Sequence, residues 1–76
     1  MNTLDDIVTN LAKNLKPAVE QIEADKCPAT RHNYGAYMAI ISQFSDDIGQ
    51  ARVLAMALKL AGANAQGVDD ALRVSY

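Results

Sequence analysis

The chain predicts a small all-α bundle of three to four helices, and three features of its sequence carry that prediction. Apolar residues return at alternating steps of three and four through most of the chain, and no stretch alternates strictly enough for a half-buried strand. Acidic pairs, prolines and glycines fall where helices would start and stop. Seventy-six residues, 50% apolar and 21% charged, suit one small folded domain over residues 1–76 rather than a disordered tail.

The first helix has the clearest pattern. Leu4, Val8, Leu11, Leu15, Ala18 and Ile22 form one row, with Ile7 and Val19 alongside it. Thr3 is placed to cap the start, and Asp6 three positions on makes a weak capping box. Pro17 falls inside the pattern while the apolar register continues across it. The expectation is one helix kinked near Lys13 to Lys16, or two short helices stacked in line.

Asp25-Lys26-Cys27-Pro28 ends the pattern, because proline pushes the residue before it away from helical angles. A second helix is expected from about Ala29 or Thr30 to Ser45, with Tyr34, Tyr37, Met38, Ile41 and Phe44 on its apolar positions. Ser45-Asp46-Asp47 opens a third, running to about Ala61, and Gly62 suits the left-handed position just past its end. A short fourth helix follows from about Gly67 or Val68 to Val74. Asp5-Asp6, Asp46-Asp47 and Asp69-Asp70 would each then sit in a first turn, where carboxylates offset the positive end of the macrodipole.

The third helix is apolar on nearly every side: between Ile48 and Ala63 the polar side chains are Gln50, Arg52 and Lys59. A chain this short has little to cover such a helix with, and small residues one turn apart let a neighbour approach closely. This predicts a homo-oligomer packed through the third helix, on Ala51, Leu54, Ala55 and Leu58. The alternative is a central helix buried within its own chain.

Compartment and chemistry are bounded by what the chain contains. One cysteine and one histidine give neither an internal disulfide nor a zinc set, so no metal and no cofactor are expected. The start of the chain lacks the pattern of an export signal, and the longest apolar run in the C-terminal half stops at Lys59, which together predict a cytoplasmic protein with no membrane partner. Seven basic against nine acidic residues argue against binding nucleic acid through bulk charge.

The segment most at odds with local rules is Lys26 to Tyr34. It places basic residues at a helix start, where the dipole disfavours them. Lys26, Thr30, Arg31, His32, Asn33, Tyr34 and Tyr37 are therefore the candidate residues for binding a ligand or partner. The competing explanation pairs the basic residues with Glu20, Glu23 or Asp25 and leaves the tyrosines in the core. Cys27 with His32 would be a minimal nucleophile and base, but no catalytic motif surrounds them and no catalytic residues are expected.

The function expected is binding rather than catalysis: an adaptor or inhibitor of a protein partner, acting as a homo-oligomer. A second expectation is sequestration of a small phosphate-bearing ligand, such as a nucleotide, near a subunit boundary. A third is a helix-turn-helix DNA-binding regulator built on the last two helices, which Asp69 and Asp70 oppose by repelling phosphates.

Overall fold

The computed structural model describes residues 3–24 and 34–75. Among them it holds four helices and no strand: α1 (Leu4–Ala24), α2 (Tyr34–Phe44), α3 (Ile48–Leu60) and α4 (Ala65–Ser75). α1 lies mainly on α3 and α2 mainly on α4, while α3 also touches α2 and α4 and so forms the centre of the bundle.

α1 continues as one helix through Pro17, which lies on its exposed side. The carbonyl that the proline leaves without an intrahelical partner belongs to exposed Lys13, where water can satisfy it. The expected capping box forms: the Asp6 N–H donates to Thr3 Oγ1 at 3.2 Å, and the Thr3 N–H donates to Asp6 Oδ2 at 3.4 Å. Asp here does the work that Glu or Gln usually does at this position.

α3 is closed at both ends by side chains and turns that its sequence supplies. Asp47 is the N-cap; its Oδ1 accepts the Gln50 N–H at 2.8 Å, and Gln50 Oε1 in return accepts the Asp46 N–H at 2.7 Å. At the other end Gly62 takes φ 109°, which lets its N–H reach the Lys59 carbonyl at 3.1 Å and the Ala63 N–H reach the Leu58 carbonyl at 3.0 Å. This is the paired closure that a left-handed glycine permits. Replacing Asp47 by alanine removes an N-cap, and the expected loss is about 1 kcal/mol in urea unfolding with the same fold by circular dichroism.

α4 begins at Ala65, two or three residues earlier than expected, because Asn64 caps it: Asn64 Oδ1 accepts the Gly67 N–H at 2.9 Å. The Asp69-Asp70 pair therefore sits in the second turn rather than the first, and a macrodipole role gives way to ion pairing. Asp69 lies 2.5 Å from Lys59 of α3, and Asp70 pairs with Arg73 one turn on at 2.7 Å.

The core joins all four helices through Val19, Tyr37, Ile41, Leu54, Leu58 and Val68, with Ala51, Ala55, Ala63 and Ala71 filling the close approaches. The four residues expected at the oligomer surface lie in this core. Ala51, Leu54, Ala55 and Leu58 are 0–6% exposed within the single chain, so α3 turns its small and branched residues toward the chain's own helices. α3 is sheltered on that side only. Ile48, Met56 and Leu60 remain on its outer side, 40%, 41% and 60% exposed.

Candidate functional site

α1 carries more apolar residues than one contact with the bundle can use. Ala12 and Val19 are buried and Val8, Leu15 and Ile22 half-buried on the side that packs inward. Leu4 and Ile7 stay 53% and 42% exposed, and Leu11 lies between the two rows. The second row is what makes a site.

Ile7, Leu11 and Leu15 form one wall of an open groove of about 750 Å³, and Val53 and Leu54 of α3 form the other. Phe44, the last residue of α2, projects into its edge and remains 65% exposed. Full burial of a phenylalanine is worth about 1.5–3 kcal/mol, of which Phe44 forgoes a large part, and clustered exposure of this kind marks contact surfaces. Polar residues are few: Asn14 and Gln50, with Asp46 and Asp47 where the α2–α3 connection meets the groove. The charged residues that line it are therefore all acidic. Asp47 is committed to the α3 cap, whereas Asp46 contributes only its N–H there, so its carboxylate takes no part in the cap.

A smaller depression of about 470 Å³ lies between Lys13 and Lys16 of α1 and Leu60 to Gly62 at the end of α3. Cations beside a helix C-terminus offset the negative end of its dipole, which accounts for lysines at this place without a ligand.

The residues singled out from the sequence fare differently. Lys26, Thr30, Arg31, His32 and Asn33 lie outside the described residues, as does Cys27. Tyr34 opens α2 and is 40% exposed. Tyr37 is not available to a ligand: it is fully buried, and its hydroxyl donates to the Glu23 carboxylate. Burial, followed by the hydrogen bond to Glu23 and its negative charge, pushes the Tyr37 phenol well above the usual tyrosine value. Glu23 Oε2 also accepts the Asn64 N–H at 3.3 Å. One carboxylate thus ties the end of α1 to α2 and to the turn before α4.

The spacing puts Phe44 among the apolar positions of its helix, and the pattern reads Asp46-Asp47 as a helix start, with no role at a groove. The signal that was present is the double row on α1, where Ile7 stood beside the main pattern without a use. Among the described residues no group of three or more His, Cys, Asp or Glu is placed to hold a metal ion. No described helix is long and apolar enough to cross a membrane. No family model, curated protein or solved structure matches the chain.

Proposed function

We propose that this chain is a non-enzymatic binding module that takes a helical segment of another protein into the groove between α1 and α3. The observation that carries the reading is the groove itself: an apolar trough between two helices, edged by a phenylalanine that its own fold leaves in water. Helix-in-groove recognition uses this kind of surface, with large apolar side chains seated one and two turns apart.

Selection of displayed helical peptides on the immobilised protein tests it. Peptides enriched on the wild type are expected to lose at least tenfold in affinity on Phe44→Lys, because an aromatic anchor at such a surface is typically worth 2 kcal/mol or more. Phe44 is mostly exposed, so the variant keeps its helix content. Equal binding to both proteins, or no enrichment at all, overturns the reading.

Contact between copies of the chain is a second reading, supported by the outer side of α3, where Ile48, Met56 and Leu60 remain exposed. Sedimentation at tens of micromolar separates the two. A dimer that Met56→Lys dissolves and Phe44→Lys does not would place self-association on α3, independent of the groove.

A further inference from the structure

We infer that the segment recognised by the groove is an amphipathic helix of another protein with a lysine or arginine at the end that meets Asp46. This rests on the groove reading above and adds the chemistry of the occupant. Two properties of the trough set it. Along α1 the apolar wall runs from Ile7 to Leu15, eight residues or roughly 12 Å at 1.5 Å per residue. That matches the span between side chains at i and i+7 of a docked helix, about 10.5 Å, so the occupant presents three apolar anchors on two turns.

Charge sets the rest. The charged residues lining the groove are Asp46 and Asp47, both at the α2–α3 end. Asp47 Oδ1 is held by the Gln50 N–H, so Asp46 supplies the carboxylate that stands off the cap. An acidic segment or an anionic lipid surface would bring like charge against this end, whereas a cation there is attracted. The chain as a whole carries a formal charge of −2, which favours approach of a basic segment at long range. The match of charge at one end and apolar anchors along the wall also orients the occupant, since only one direction puts the cation beside Asp46.

A display library of 14-residue helices tests this, with leucine fixed at i, i+4 and i+7 and Lys, Gln or Glu varied at each end. On the wild type, members with Lys at one end are expected to be enriched about fivefold or more over those with Glu, with Gln between. Asp46→Lys should reverse that order while keeping the helix content, because the Asp47 cap is intact. Raising the salt to about 0.5 M should shrink the difference for both proteins. Phe44-dependent binding with no preference among Lys, Gln and Glu overturns the cation inference and leaves the groove reading standing. Binding that Phe44→Lys does not affect removes both. A dimer that Phe44→Lys dissolves also overturns the inference, since the occupant is then a second copy.

Discussion

Leu58→Ala is expected to cost about 3 kcal/mol and to lower the thermal midpoint by roughly 10–20 °C. Leu58 is fully buried on the inner side of α3, among the chain's own α1, α2 and α4 side chains. Truncation to alanine removes three carbons and leaves a void that a domain of this size closes only in part. Total stability for a small domain is on the order of 5–15 kcal/mol, so the variant forfeits a large share of it. The backbone role of the residue is unchanged, because its carbonyl still accepts the Ala63 N–H. Thermal melts followed by circular dichroism at several concentrations check the value and its origin together. The loss on Leu58→Ala should be the same at every concentration, because the contacts removed are within one chain. A wild-type midpoint that rises with concentration, with the rise abolished by Leu58→Ala and kept by Met56→Lys, would return Leu58 to an interface between copies.

Tyr37→Phe is expected to cost about 2 kcal/mol at neutral pH. The ring keeps its place in the core, but the hydroxyl that donates to Glu23 is lost, and hydrogen bonds to charged groups are worth about 1.5–3 kcal/mol. Glu23 retains the Asn64 N–H, so the carboxylate is not left bare. The pH dependence carries a sign that distinguishes this bond from simple packing. The Tyr37 phenol is held above its usual value, first by burial and then by Glu23, so the folded chain keeps a proton that the unfolded chain gives up above about pH 10. Unfolding then releases a proton, and stability falls as pH rises from that point. Urea unfolding at neutral pH and near pH 11 should show the wild type losing stability over this range. In Tyr37→Phe that part of the decline disappears. An unchanged alkaline decline in the variant would mean that Tyr37 does not carry it.

The all-helical class, α1 and both ends of α3 were legible because each rests on local chemistry: the apolar row from Leu4 to Ile22, the Thr3 and Asp47 caps, and the Gly62 closure. The start of α4 was misplaced because Asp69-Asp70 matched a first-turn pattern, while Asn64, the actual cap, is an ordinary loop residue until its side chain is seen on the Gly67 N–H. The surroundings of α3 were legible only in part. Composition says how much apolar surface the helix has, but not which neighbours cover it, and Ala51, Ala55, Ala63 and Ala71 fill the close approaches around Leu54 and Leu58. Of the groove only one part was legible, the spare position of Ile7 beside the main row of α1. Its other wall depends on which helix α1 packs against, and that is set by tertiary contacts rather than by spacing along the chain.

The unequal anchoring of α1 has a mechanical consequence. Its later half is gripped by Val19 in the core and by the Glu23 tie, whereas from Leu4 to Asn14 only Ala12 is buried. Few buried apolar contacts mean low local stability, so the early turns are held less firmly than the rest of the bundle. Ile7 and Leu11 travel with them. The two walls of the trough are therefore held unequally, the one on α3 by the core and the one on α1 by its far end.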